Sequence, residues 1–113
     1  MSQQIPEVQV AQLAAELPDD LVVLDVREPA EWVAGHIDGA THMPMMTVPE
    51  RLAEIPHDQQ ILVVCKVGSR SAQVTAYLGN TGREAFNLAG GMIAWTSAGR
   101  PMVAETEATP RVL

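Results

Sequence analysis

Two stretches of this chain, Leu21-Val22-Val23-Leu24 and Ile61-Leu62-Val63-Val64, are apolar at every position. A strand with one wetted face alternates apolar and polar residues. A short run apolar throughout fits a strand covered on both faces, the arrangement of parallel sheets packed between helices. Helical spacing lies between and around the two runs. Val10, Leu13, Ala14 and Leu17 fall at i, i+3, i+4 and i+7 and predict a short amphipathic helix ended by Pro18-Asp19-Asp20. Glu28-Pro29 opens a second helix, with proline suited to the first helical position, and Gly35 stops it. Ser71, Val74, Tyr77 and Leu78 share the inner face of another, closed by Gly79-Asn80-Thr81-Gly82. The pattern predicts a three-layer α/β domain.

The remaining segments fill in that plan. Gly35 to Ala40 reads as a loop and Thr41 to Met43 as a short strand before Pro44. Thr47-Val48-Pro49-Glu50 has the capping-box pattern, predicting a helix through Leu52 and Ile55 that ends at the turn Pro56-His57-Asp58. Glu84 to Leu88 is expected as a strand, Gly90-Gly91 as a turn, and Met92 and Trp95 as the inner side of a last short helix. From Ala104 the periodicity stops, so the domain is expected over residues 5–103, with 104–113 as a flexible tail.

Composition narrows the function classes. The 113 residues suffice for one domain, and the 47% apolar fraction for an ordinary core. With 14 Asp and Glu against 7 Lys and Arg, the chain lacks the basic surplus that nucleic acid demands. A small anionic substrate stays open, because local charge decides that. Met1-Ser2-Gln3-Gln4-Ile5-Pro6 has neither the basic nor the apolar region of a signal peptide, and no apolar stretch approaches the ~20 residues of a membrane helix. The expectation is a soluble cytoplasmic protein without membrane attachment.

Cys65 is the only cysteine, so no internal disulfide forms and nothing suggests an oxidising compartment. It stands where the second apolar run meets Lys66-Val67-Gly68-Ser69-Arg70, at the carboxyl end of a parallel strand, where ligands bind in open α/β sheets. If residues 66–70 wrap around the sulfur, their amides form an anion-favouring nest, and Gly68 permits the left-handed turn such a loop needs. Lys66 and Arg70 add positive charge, and a helix from about Ser71 adds its dipole. All of these push the thiol below the ~8.5 of free cysteine. Such a cradle accepts a small oxyanion or a sulfur anion. A plain packing role stands beside this reading, since cysteine is among the most buried residue types.

Beyond this point the residues resemble a family. Asp25-Val26-Arg27-Glu28, Glu31-Trp32, Gly35-His36-Ile37-Asp38-Gly39-Ala40 and Pro44 resemble the opening signature of rhodanese-like sulfurtransferases. Gly90-Gly91-Met92, Ala94-Trp95, Gly99 and Pro101 resemble their closing signature, and Cys65 to Arg70 falls where the family carries its active-site loop. The resemblance implies a single-domain rhodanese-like fold, a five-stranded parallel sheet with helices on both faces. It implies double displacement: Cys65 takes the outer sulfur of thiosulfate or a related persulfide donor and passes it from a persulfide to cyanide or a thiol. Lys66, Val67, Gly68, Ser69 and Arg70 would bind the donor, with the loop amides holding the persulfide sulfur and Lys66 and Arg70 the sulfonate. No cofactor or metal is implied, and a sulfur-accepting partner protein is compatible with the chemistry.

Other readings compete. A Cys-based phosphatase or arsenate reductase needs a roomier loop of the type His-Cys-x5-Arg, whereas here Val64 precedes the cysteine and four residues separate it from Arg70. A non-catalytic binding module of the same fold commonly lacks the cysteine. A sulfur-delivery role differs only in the acceptor. Asp25, Arg27 and His36 are expected to fix loops near the site rather than to react. His42 and His57 have no metal-ligand spacing. Met43, Met45 and Met46 are expected in the core, and Trp32 and Trp95 as core anchors.

Overall fold

A computed structural model describes residues 5–113; Met1 to Gln4, part of the segment in which no signal peptide is expected, lie outside the described residues. Five strands form one sheet: β1 (Glu7–Val8), β2 (Val22–Asp25), β3 (Thr41–His42), β4 (Ile61–Val64) and β5 (Ala85–Leu88). Their order across the sheet is β1-β5-β4-β2-β3, and every pairing is parallel. β4 sits at the centre, in register with β2 from Val22 opposite Ile61 to Asp25 opposite Val64. Both all-apolar runs are thus adjacent inner strands.

The two faces of β4 feed two cores. Ile61 and Val63 pack with Leu24, Val74 and Leu78 beneath α2 (Ser69–Asn80). Leu62 and Val64 pack with Val23, Met92 and Trp95 beneath α3 (Gly91–Ser97). Each such side chain contributes ~1.5–3 kcal/mol by leaving water, so the strand that carries Cys65 is fixed from both sides. α1 (Pro29–Ala34) starts with proline at its first turn, and Glu31 Oε1 accepts the Glu28 amide at 3.0 Å. No helix among the described residues is long and apolar enough to cross a membrane.

Four local expectations are corrected. The helix predicted over Val10 to Leu17 is only a 3-10 turn, Val10–Gln12, after which Leu13 is extended. Arg100 takes its place: the guanidinium donates to the carbonyls of Ala14, Leu13 and Val10 at 2.6, 2.7 and 3.2 Å, and Leu13 and Leu17 still reach the core. The capping box at Thr47 does not form. Its hydroxyl turns back to the Pro44 carbonyl at 2.7 Å, and two 3-10 turns, Met45–Thr47 and Leu52–Glu54, replace the helix. α2 begins at Ser69 rather than Ser71, which brings Arg70 into its first turn. Of the methionines around Pro44, Met43 is buried, but Met46 is 80% exposed.

β1 was beyond reach of periodicity, being two residues long. Residues 104–113, expected as a flexible tail, lack helix and strand and lie along α1. Glu105 and Arg111 donate their amides to the Val33 and Ala34 carbonyls at 3.0 and 2.9 Å, satisfying groups left open by the helix end.

Candidate active site

Cys65 leaves the end of β4, and the chain then reverses through Gly68, whose φ of 104° is the left-handed region that glycine enters without steric cost. That turn aims the start of α2 at the sulfur. The Gly68 amide donates to Cys65 Sγ at 3.1 Å and the Ser71 hydroxyl at 3.3 Å. Cys65 is fully buried, and burial by itself pushes the thiol up. The Ser71 hydroxyl and the amides of Ser71, Gly68 and Val67 outweigh it and hold the thiol below the ordinary cysteine range. The 12-residue helix adds the favourable end of its dipole.

The loop is clamped from below by α3. The amides of Met92 and Ile93 donate to the carbonyls of Cys65 and Lys66 at 2.8 and 3.1 Å. Gly91 makes this approach possible, since a Cβ there would stand 2.4 Å from the Cys65 carbonyl oxygen. From behind, Asn87 on β5 ties the turn down. Its Oδ1 accepts from the Ser71 hydroxyl, while its Nδ2 donates to the Gly68 carbonyl at 3.1 Å and to Glu7 at 3.3 Å. Ser71 thus has one proton and two acceptors, Cys65 Sγ and Asn87 Oδ1.

The expected loop residues separate by role. Gly68 and the Val67 amide face the sulfur, while the Val67 side chain is 56% exposed. Ser69 is the exposed first residue of α2, and Lys66 is half-buried, without an ion pair among the described residues. Arg70 does not stand free at the thiol. Its Nη1 and Nη2 donate to the two carboxylate oxygens of Glu31 on α1 at 2.8 and 3.1 Å. The pair holds the Glu31 carboxyl below, and the Arg70 guanidinium above, their ordinary ranges; the charge of Cys65 also favours the guanidinium.

The flanking motif forms a brace. Arg27, fully buried, donates from Nε to Asp25 Oδ1 at 2.9 Å, from Nη2 to Asp25 Oδ2 at 2.7 Å, and from Nη2 to the Gly35 carbonyl at 2.7 Å. His42 Nε2 reaches the Arg27 carbonyl at 2.8 Å. His36 bridges the Ile37 carbonyl and the Glu105 carboxylate, each at 3.0 Å. Trp32 stacks with both imidazoles, with ring centroids 3.5 Å apart for His36 and 4.8 Å for His42. These groups tie α1 to the sheet; the thiol's own partners come from the loop after β4 and the first turn of α2.

Sequence reasoning missed Ser71, Asn87 and Glu31 as parts of the site. Ser71 was legible only as a helix-face residue. Asn87 left one signal, a polar side chain within an otherwise apolar strand, Ala85-Phe86-Asn87-Leu88. Glu31 was legible as part of the Glu31-Trp32 signature but not as the partner of Arg70.

Comparison with known proteins agrees with this architecture. Residues 9–98 match the Rhodanese-like domain family. The chain is 40% identical over 103 residues to a sulfurtransferase of Allochromatium vinosum, covering 88% of this chain and 96% of that protein. It is 38% identical over 77 residues to the thiosulfate sulfurtransferase GlpE of Pseudomonas entomophila, covering 67% of this chain and 71% of that one. A rhodanese-related protein from Thermoplasma volcanium superposes with a TM-score of 0.81 at 30% identity, covering 87% of this chain and 97% of the other. With residues 9–98 matching the family and most of its length shared with these relatives, the chain belongs to the rhodanese-like sulfurtransferase family.

Proposed function

We propose that this protein transfers sulfane sulfur through a persulfide on Cys65. The observation that carries the reading is the convergence of the Gly68 amide and the Ser71 hydroxyl on Cys65 Sγ at 3.1 and 3.3 Å. Donors aimed at one sulfur favour an anion there, first the thiolate and then the terminal sulfur of a persulfide. With thiosulfate, the Cys65 thiolate attacks the outer sulfur. The Cys65–sulfur bond forms as the donor's S–S bond breaks, and sulfite leaves with that bond's electron pair. The persulfide then gives its outer sulfur to cyanide, forming thiocyanate, or to a thiolate, forming a new persulfide, and the Cys65 thiolate returns. No second cysteine is present to resolve the intermediate internally, so the acceptor is another molecule. A thiol on a partner protein meets the same requirement.

Likeness to a thiosulfate sulfurtransferase supports thiosulfate or a related persulfide as donor. A lone unpaired cysteine suits a reducing, cytoplasmic setting. Phosphatase or arsenate-reductase chemistry fits less well, because the arginine that would surround a tetrahedral oxyanion is paired with Glu31. Incubation with thiosulfate followed by intact-mass measurement tests the reading. A gain of one sulfur atom is expected in wild type and not in Cys65→Ser. Wild type that stays unmodified with both thiosulfate and hydropersulfides refutes it. Cys65-dependent hydrolysis of an aryl phosphate would favour the phosphatase instead.

A further inference from the structure

Arg70, the loop cation expected to hold a donor's anionic end, already has a carboxylate. The Arg70–Glu31 contact is bidentate, at 2.8 and 3.1 Å, the geometry that makes such pairs both strong and directional. Glu31 does not owe its place to the arginine. It sits in the first turn of α1, where its Oε1 also accepts the Glu28 amide at 3.0 Å. Its side chain is 15% exposed against 31% for Arg70, so the acid is the better buried and doubly held half. Glu28 adds a second negative charge that bears on the guanidinium. Among the described residues, Lys66 is the loop cation left without an ion pair.

Thiosulfate carries two negative charges, and a site that seats it beside a thiolate needs positive charge in excess of its own acids. Here a sulfonate at Arg70 must either break the ion pair or take the remaining N–H donors of a guanidinium whose charge Glu31 already offsets. A hydropersulfide, R–S–SH, carries at most one negative charge on its sulfur pair and has no sulfonate to seat. We infer that Glu31, through its grip on Arg70, selects donors by charge, favouring hydropersulfides over thiosulfate. The inference rests on the Cys65 persulfide reading and narrows its donor class. In the favoured step the Cys65 thiolate attacks the outer sulfur of R–S–SH. The Cys65–sulfur bond forms, the donor's S–S bond breaks, R–S⁻ leaves with the electron pair, and the proton stays on the transferred sulfur.

Glu31→Gln removes the charge and keeps an oxygen that can accept the Glu28 amide. Single-turnover sulfur gain at Cys65, read by intact mass, is compared for thiosulfate and cysteine hydropersulfide. The thiosulfate-to-hydropersulfide rate ratio is expected to rise about three- to tenfold in Glu31→Gln, the scale of one unit charge acting across a partly screened site. The gain should appear in the half-saturating thiosulfate concentration and vanish when Arg70→Ala is added. As a readout independent of sulfur transfer, the iodoacetate-to-iodoacetamide alkylation ratio of Cys65 should rise in the same variant. Ratios that stay level overturn the inference, and a fall in the thiosulfate ratio would make Glu31 a residue that positions Arg70 for thiosulfate. If neither donor modifies Cys65 in any variant, the persulfide reading fails, and the alkylation ratio alone decides whether Glu31 sets the charge of the site.

Discussion

Replacing Ser71 with alanine removes the side-chain hydrogen bond among those that hold Cys65 as a thiolate and leaves the backbone amides in place. The hydroxyl lies 3.3 Å from Sγ, buried on the first turn of α2. A hydrogen bond to a charged group is worth about 1.5–3 kcal/mol, and one pKa unit corresponds to about 1.4 kcal/mol. Because the Ser71 proton is shared with Asn87 Oδ1, the lower end of that range applies. Ser71→Ala should therefore raise the Cys65 pKa by about one unit, leaving roughly tenfold less thiolate at any pH below both values. The assay is the pH dependence of iodoacetamide alkylation, whose inflection reports the thiol directly and needs no sulfur donor.

Asn87→Ala separates this effect from general damage to the loop. It removes the competing acceptor, leaving the Ser71 proton to Cys65, yet it also cuts the tie to the Gly68 carbonyl. Both variants leave a buried polar group short of a partner and should lose about 1–3 kcal/mol of stability. Only Ser71→Ala should raise the inflection. An inflection unmoved in Ser71→Ala would assign the whole depression to the amides and the helix dipole. An equal rise in both variants would make loop distortion the cause.

The depressed thiol also predicts how stability responds to pH. The native state releases the Cys65 proton at lower pH than the unfolded chain, so Cys65 adds stability as pH rises from its native pKa to ~8.5, and loses that contribution as pH falls back through the native pKa. Urea unfolding of wild type against Cys65→Ala should show a difference that grows over that window and is flat above it. Asp25→Asn strips the buried Arg27 of its counter-charge and should cost about 3–5 kcal/mol in the same assay; a loss under 1 kcal/mol would show the brace to be dispensable. Gly68→Ala forces a Cβ into the left-handed turn, 3.3 Å from the Gly90 amide nitrogen, and should destabilise by about 1–3 kcal/mol. Its alkylation inflection should also rise, because the Gly68 amide is then no longer aimed at Sγ.

What could be read from the sequence was whatever leaves a local trace. β2 and β4 are buried on both faces, and their composition says so directly. Cys65 and Gly68 are legible together because a thiol at a strand end followed by a left-handed turn is a local geometry. The helix expected from Val10 failed for a remote reason: Arg100, 86 to 90 positions away, binds the carbonyls of that segment. The same distance hid the site's second layer. Arg70 meets Glu31 across 39 positions and Ser71 meets Asn87 across 16, with nothing in either neighbourhood to announce the partner.

Those remote contacts change what kind of site this is. A loop with Lys66 and Arg70 suggests a thiolate held by formal charge, which salt screens and which favours multiply charged donors. The folded loop instead surrounds Sγ with neutral dipoles from Val67, Gly68 and Ser71, while the nearby arginine is matched by Glu31. Dipoles at contact distance lower the thiol with little dependence on salt, whereas the charges at the rim bear on which donors approach it. Acidity of the thiol and choice of donor are therefore assigned to different residues, Ser71 to the first and Glu31 to the second, so either can be altered without necessarily altering the other.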